Sequence, residues 1–523
     1  MFDFTDEAVD FENMIVSAPS SIMSICSAMS GIPAYYHAGN YLDFNFDSAA
    51  FWNFRDILCQ HGYTNYSILN SRGAREKMRG ILDPVSNDFW EPNLKHSQPG
   101  WPNADISRTL MNVLDSNPTG PCFYLLWYNA RRDPEISQVV AELLDELKRR
   151  DLFQPSVVML HSDHGYPDLS RGLISDGWDL KKVGLPHDLV LTDDNIRVPF
   201  LLHYPGVTPK SISQPVSSED ITPTLLDLLG IPIPPPKSMD MMGRSLVPLM
   251  EGQPTEESSS KLIRTDARFS MQKDRITALR NEKYKFIIHH ESGGVEFYDL
   301  ANDPGEVSNL SEDPSWADEI EWFRQEFARS ESAAIDFQRE RIRKKVWAYF
   351  SSSRQEWEIP AKVWVVVFGR SYLYEAVVEA LLDQWADVEL HLTVHEEVQI
   401  PDAIESNCTT DRFGTLGSGP VFQGPEGIDL KLEIVDDPLS RDFMKTYARF
   451  RNRSGSTVLR IDGNVDFHNL RWPLLADPRV AYVRRVLGSL MEKKDLFLLE
   501  PTYLLKELKR LAGVFFSRKL GGS

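Results

Sequence analysis

At 523 residues the chain is longer than one ordinary hydrophobic core organises, so two domains are expected. A formal net charge of -20 denies it the basic face that a nucleic-acid backbone calls for, and it disfavours anionic membrane surfaces. No apolar run approaches the ~18 residues that a bilayer span needs. No nucleic-acid partner and no membrane partner are therefore expected. An anionic small substrate stays open, because a local cation can overrule the global sign.

Cys26, Cys59, Cys122 and Cys408 are far apart and form no C-x-x-C pair, which points to buried free thiols rather than a disulfide framework. The opening Met1-Phe2-Asp3-Phe4-Thr5-Asp6-Glu7 has neither a basic start nor an apolar stretch, so it does not read as a signal peptide. The sequence as it stands suggests a cytoplasmic location.

Residues 1–16 read as an acidic amphipathic helix carrying Asp3, Asp6 and Asp10. Pro19 and the serines after it then make a helix start, and Gly31 with Pro33 makes a stop, so a helix is expected from about residue 21 to 30. A serine at such an end can cap the helix, or it can attack an anion held by the free N–H groups. Further on, Phe51, Phe54, Ile57 and Leu58 stand at helical spacing, and Tyr66-Ser67-Ile68-Leu69 reads as a short strand. Residues 85–105 read as a surface loop and 106–114 as a short helix. Pro121-Cys122-Phe123-Tyr124-Leu125-Leu126-Trp127-Tyr128 is a buried strand by composition, with an exit loop through Arg132, and residues 136–147 form an amphipathic helix.

Val157-Val158-Met159-Leu160 is the next strand, and it stops at His161-Ser162-Asp163-His164-Gly165. Ligands of open α/β sheets bind past the carboxyl ends of strands. An adjacent carboxylate and imidazole there suit a divalent metal, and Gly165 permits the turn that could aim both at one point. Residues 198–202 form another strand. Residues 218–231 form a capped helix closed by Gly230, and residues 275–300 form an antiparallel meander. The alternation of strand and helix is that of a parallel sheet covered on both faces. Residues 316–358 are charged and helical and read as a solvated linking helix. A second α/β unit follows, with strands at 363–368, 388–392, 430–435 and 458–461 and helices at 374–385, 479–492 and 503–511. Residues 400–427 read as irregular. Phe368-Gly369-Arg370-Ser371 lacks the G-x-G-x-x-G turn, so a structural or partner-binding role is expected there rather than nucleotide binding.

Several of these segments together resemble the sulfatase branch of the alkaline-phosphatase superfamily over about residues 1–312. They are Ser162-Asp163-His164-Gly165, Arg197-Val198-Pro199-Phe200 and His203-Tyr204-Pro205-Gly206. To these are added the stretch from Asp220 through Pro223 and Asp227 to Ile231, Gly243-Arg244-Ser245-Leu246, Tyr284-Lys285-Phe286, and Glu296-Phe297-Tyr298-Asp299-Leu300 with Asp303-Pro304, Glu306 and Asn309-Leu310. The resemblance implies an α/β fold: an alkaline-phosphatase/sulfatase-like parallel-sheet sandwich with a small antiparallel C-terminal subdomain. A Rossmann-like α/β domain would be additional to it. The expected boundaries are 1–260 for the catalytic domain, 261–315 for the antiparallel subdomain, 316–358 for the linker and 359–523 for the second α/β domain.

The resemblance also implies a chemistry. A nucleophile at a helix N-terminus attacks a sulfate or phosphate ester with the help of a divalent metal. When Met29-Ser30-Gly31 is matched to the family's L-T-G ending, the nucleophile falls on Ser21. Asp163, His164 and Ser21 are then the metal ligands. His187, twelve residues before Pro199, contacts the ester or leaving group, with Lys181 and Lys182 as weaker candidates. The metal would be Ca2+ or Mg2+, or Mn2+ or Zn2+ for a phosphoesterase. The substrate would be an anionic ester, and the oligomeric state is not readable.

Three features set the chain apart from the family pattern. Ser21-Ile22-Met23-Ser24-Ile25 lacks the Pro and Arg of C-x-P-S-R, which suits a plain serine better than a formylglycine. Arg132 stands where relatives often hold a histidine, and could clamp an anionic oxygen. The family's first strand, which ends in two acidic ligands, has no counterpart before Ser21, so an unpaired sheet neighbour and an apolar gap are expected. Three readings follow: a sulfatase, a metal-dependent phosphatase or phosphodiesterase using unmodified Ser21, and a non-catalytic binding protein.

Overall fold

The computed structural model describes residues 4–37, 46, 50–69, 81, 89–90, 103–116, 118–128, 136–167, 187, 190–253, 262–267, 276–290, 292–351, 360–368, 373–385, 387–395, 398–413, 422–423, 425–435, 450–451, 457–462 and 467–469. The chain divides into two compact units, one ending at Ala334 and one beginning at Ile335.

The first unit carries Val9–Phe11 (β1), Ser21–Ser30 (α1), Thr64–Leu69 (β2), Cys122–Trp127 (β3), Ile136–Arg149 (α2), Val158–His161 (β4), Asp193–Ile196 (α3), Phe200–His203 (β5) and Lys210–Ile212 (β6). Four of these strands form a sheet in the order β4-β5-β1-β6. This sheet is mixed: β5 runs antiparallel to both β4 and β1, and β1 runs parallel to β6. The N-terminal residues are not the amphipathic helix that their acidic pattern suggested. Asp10 lies inside β1, opposite Leu201. Alternation of Val9 and Phe11, both buried, is the period-2 signal of a strand, and three residues were too few for it to stand out.

A second sheet places β2 between β3 and the short strand Phe89–Trp90, all parallel. β3 and β4 each form the last described strand of their sheet. Every residue of both is half-buried, although five of the six in β3 and three of the four in β4 are aliphatic or aromatic. One helix serves both strands. Leu143 of α2 packs in a cluster with Tyr124 and Leu126, Leu144 packs with Val158 and Leu160, and Leu147 touches both groups. Among the described residues each of these two strands has a strand neighbour on one side alone.

Residues 263–299 form the antiparallel meander: Ile263–Ala267 (β7), Ile276–Arg280 (β8), Tyr284–His289 (β9) and Val295–Asp299 (β10). Its register sets Leu279 opposite Phe286 and Phe286 opposite Phe297. Phe297 stacks on Tyr284 and meets Trp316 and Phe323 edge-on or tilted. Helix Ala317–Ser351 (α4) is not simply solvated: Ile320 and Phe323 belong to the meander core. Its charged residues masked an apolar stripe that recurs at helical spacing.

The second unit is a six-stranded sheet in the spatial order 409–413, 389–395, 362–367, 430–435, 457–462, 467–469. All its pairs are parallel except the last. The first strand in sequence thus sits inside, with later strands added outward on both sides, as in a doubly wound sheet. Val363, Val365 and Val367 pack with Ile342, Val346, Val377 and Leu381. Residues 400–427 contain a helical turn, Asp402–Glu405, and the edge strand Thr409–Phe413, contrary to the irregular reading. The edge strand has a weak pattern because most of its residues are polar. Residues 369–371 and the helices expected at 479–492 and 503–511 lie outside the described residues. No helix among the described residues is long and apolar enough to cross a membrane.

Replacing Phe297 with alanine should cost about 3–5 kcal/mol. The check is urea unfolding followed by hydrogen exchange, with protection lost first over residues 276–299.

Candidate active site

α1 begins and ends as its sequence dictates. Ser20 occupies the N-cap with extended backbone angles, and Gly31 closes the helix at φ 68. The Ser20 side chain makes no capping bond. Among the described residues the Ser20 and Ser24 hydroxyls have no hydrogen-bond partner although both are buried. The N-terminal end of α1 therefore keeps its N–H groups free of a side-chain cap, as an anion site requires.

Motifs distant in sequence fix this helix in place. The Thr222 hydroxyl donates to the Ala28 carbonyl at 2.6 Å, and the Ser17 N–H donates to Ser218 Oγ at 3.1 Å. The Gly31 carbonyl accepts from the N–H groups of Met242 and Gly243. Gly243 must be glycine, because a Cβ there would lie 1.8 Å from the Glu219 carbonyl oxygen. Asp220 accepts from the N–H groups of Ser217 and Arg244.

The turn after β4 faces the start of α1. The Ser162 hydroxyl donates to the His164 carbonyl at 2.7 Å, and Asp163 Oδ1 accepts the His164 N–H at 3.0 Å. Gly165 N–H donates to the Asn195 carbonyl at 2.7 Å, and Tyr166 N–H donates to the Asp194 carbonyl at 3.2 Å. A Cβ on Gly165 would lie 2.2 Å from the Asp194 carbonyl oxygen, so this strand end fits α3 only with glycine. His161 stays neutral at physiological pH, since burial lowers its pKa to about 4.

Ser21 Oγ lies 3.1 Å from His164 Nε2. His164 Nδ1 lies 2.7 Å from the Gly165 carbonyl oxygen, which can only accept, so Nδ1 carries a hydrogen. In the neutral ring Nε2 then has the lone pair, and the Ser21 hydroxyl donates to it. Asp163 Oδ2 lies 3.7 Å from the same Nε2. The His187 ring stacks on His164 with centroids 4.1 Å apart and an interplanar angle of 7°. Asn195 Nδ2 donates to the carbonyls of His187 and Val190, each at 2.6 Å.

Ser21, Asp163, His164 and His187 thus converge. Arg132, Lys181 and Lys182 lie outside the described residues. Asn195, which holds both Gly165 and the His187 backbone, was not singled out from sequence. Its signal was the polar run Asp193-Asp194-Asn195 between apolar residues, which is unusual for an ordinary surface turn. The arrangement brings together a hydroxyl, an imidazole able to take its proton, a carboxylate beside that imidazole and a helix N-terminus, the helix end that favours anions.

His164 Nε2 can serve a proton or a cation, but not both at once. Among the described residues no group of three or more His, Cys, Asp or Glu side chains is placed to hold a metal ion. Hard divalent cations take six or more donors. Asp163, His164 and Ser21 supply three, so they do not by themselves make such a site.

The family model described as Sulfatase matches residues 135–231, and the one described as N-sulphoglucosamine sulphohydrolase, C-terminal, matches residues 187–333. The Delta 4,5-hexuronate-2-O-sulfatase of Bacteroides thetaiotaomicron is 28% identical over 192 residues, covering 35% of this chain and 36% of that protein. The choline-sulfatase of Rhizobium meliloti is 30% identical over 179 residues, covering 34% of this chain and 31% of that protein. The chain thus spans about a third of the length of these curated relatives. A solved structure in complex with its substrate D-glucosamine-2-N,6-O-disulfate superposes with a TM-score of 0.51 at 14% identity, covering 64% of this chain and 92% of that one. That likeness concerns the fold.

Replacing Gly165 with alanine should destabilise the first unit by on the order of 3 kcal/mol, because the clash is with backbone rather than with a movable side chain. The midpoint of urea unfolding checks it. An unchanged midpoint would mean that the turn can yield at Asp194.

Proposed function

We propose, for a chain that belongs to the sulfatase family, that it cleaves a sulfate ester with Ser21 as nucleophile. The observation that carries this reading is the Ser21 Oγ to His164 Nε2 contact of 3.1 Å at the N-terminus of α1. His164 Nε2 takes the proton as Ser21 Oγ attacks sulfur, and the resulting imidazolium lies beside the Asp163 carboxylate. The N–H groups of α1 hold the sulfuryl oxygens. The departing alcohol oxygen takes a proton from the imidazole pair, where His187 stacks on His164. Water then releases sulfate from the seryl ester.

Sulfatases generally work with a divalent metal, and this chain would offer Asp163 and, in place of its proton-accepting role, His164 to Ca2+ or Mg2+. When bound, such an ion supplies charge neutralisation and a lowered nucleophile pKa. No step above is routed through it.

A second reading, phosphate-ester hydrolysis by an unmodified serine, is favoured by one observation: Met23 and Ile25 occupy the Pro and Arg positions of the formylglycine-directing motif. Turnover of 4-nitrophenyl sulfate and 4-nitrophenyl phosphate, measured side by side with mass spectrometry of the Ser21 peptide, decides between the two. The sulfatase reading expects sulfate turnover that falls by about 1,000-fold or more in Ser21→Ala. Phosphate turnover alone would establish the second reading, and no turnover of either would overturn both.

A further inference from the structure

We propose that Lys285, with Asp193 and Glu306, is the positioning assembly of the active-site turn. It sets the backbone of α3 and, through it, the His164–His187 pair.

Lys285 is fully buried on β9. Its ammonium pairs with Asp193 Oδ1, lies 2.5 Å from Glu306 Oε1, and donates to the Leu191 carbonyl at 3.1 Å. Two carboxylate oxygens and one carbonyl oxygen thus surround it. Arg280 adds a two-pronged contact to Asp193, with Nε to Oδ1 at 3.2 Å and Nη2 to Oδ2 at 3.1 Å. Burial alone would raise the Asp193 pKa. Lys285 and Arg280 outweigh it and hold the carboxyl below its ordinary range. Glu306 Oε2 accepts the N–H of Asp193 at 2.6 Å, which fixes the first residue of α3. Glu306 does this from a backbone φ of 50, a left-handed conformation that a side-chain-bearing residue holds only when its surroundings enforce it.

The other side of α3 carries the site. The carbonyls of Asp194 and Asn195 receive the N–H groups of Tyr166 and Gly165, and Asn195 Nδ2 holds the His187 carbonyl. Gly165 has no slack, because the Asp194 carbonyl fills the space of its missing Cβ. A shift of α3 therefore moves Gly165, whose carbonyl orients His164, and the His187 segment together. The meander, which among the described residues contributes no group to the reacting centre, reaches α3 through the buried Lys285 ammonium and the Arg280 guanidinium.

The geometry stands on these contacts, whereas its catalytic consequence rests on the hydrolase reading. The test therefore uses a readout that needs no turnover: nuclear magnetic resonance of the full chain with isotope-labelled histidine. Loss of signals in His164→Gln and His187→Gln assigns the two rings. Lys285→Met should displace both ring resonances from the positions set by their stacking, and Lys285→Arg should restore them in part. Glu296→Gln, which breaks the buried His289–Glu296 pair elsewhere in the meander, should leave them in place. If Lys285→Met does not fold, Glu306→Gln is the replacement, with the same displacement expected. Unmoved resonances in the Lys285 or Glu306 variant would overturn the proposal, as would equal displacement by Glu296→Gln. Where the wild-type chain turns over an ester, Lys285→Met should lower kcat by about 10- to 100-fold with KM little changed. If the wild-type chain turns over neither ester, the hydrolase reading fails while the resonances still decide this one.

Discussion

The close approach of Gly165 to the Asp194 carbonyl is the constraint on which the site depends. It joins the end of β4 to α3 with no side chain between them, and two backbone hydrogen bonds lock the contact. Because the Gly165 carbonyl takes the His164 Nδ1 hydrogen, the same turn sets which nitrogen of His164 faces Ser21. A tautomer is thereby chosen by backbone geometry, and the lone pair of Nε2 faces the Ser21 hydroxyl.

Charge at the site runs against the charge of the chain. The whole sequence carries -20, whereas the proposed function requires an anionic ester to be held. Ser21, Asp163, His164 and His187 contribute no permanent positive charge. Positive potential comes instead from the uncapped end of α1 and, in the proposed mechanism, from the imidazolium that proton transfer would form. Ser20, in the N-cap position, makes no side-chain bond to the helix N–H groups, and the proposed function uses those groups for the anion. A capping bond worth about 1 kcal/mol is forgone, and the helix is held by Thr222, Ser218 and Gly243 instead.

Much of this was legible in the sequence because the chemistry and the turn shared one short stretch. Asp163-His164-Gly165 names a carboxylate, an imidazole and the glycine that the close approach demands. Ser21 was reached by counting back from Met29-Ser30-Gly31 as matched to the family ending, and Gly243 by its place in a motif on which the resemblance rests. Tyr284-Lys285-Phe286 was noticed as a motif, but Lys285 gave no sign of its partners, since Asp193 and Glu306 are distant in sequence and a lone lysine in a strand ordinarily points to solvent. The N-terminal strand was missed because three residues cannot display a period. The apolar stripe of α4 was missed because charge dominates the composition of that helix.

The edge strands connect these observations. β4 is paired on one side by β5 and half-exposed along its length, so among the described residues the sheet secures it from one direction. A strand inside a sheet has its end fixed by two neighbours, whereas an edge strand can twist or slip. The turn at Asp163 therefore needs a second anchor, and α3 supplies one by backbone hydrogen bonds. α3 is a single helical turn, too short to be stable alone. Its own anchor is the buried ammonium of Lys285, with Glu306 on its first N–H. Order at the reacting pair thus comes from the meander, later in the chain, more than from the strand that carries the pair.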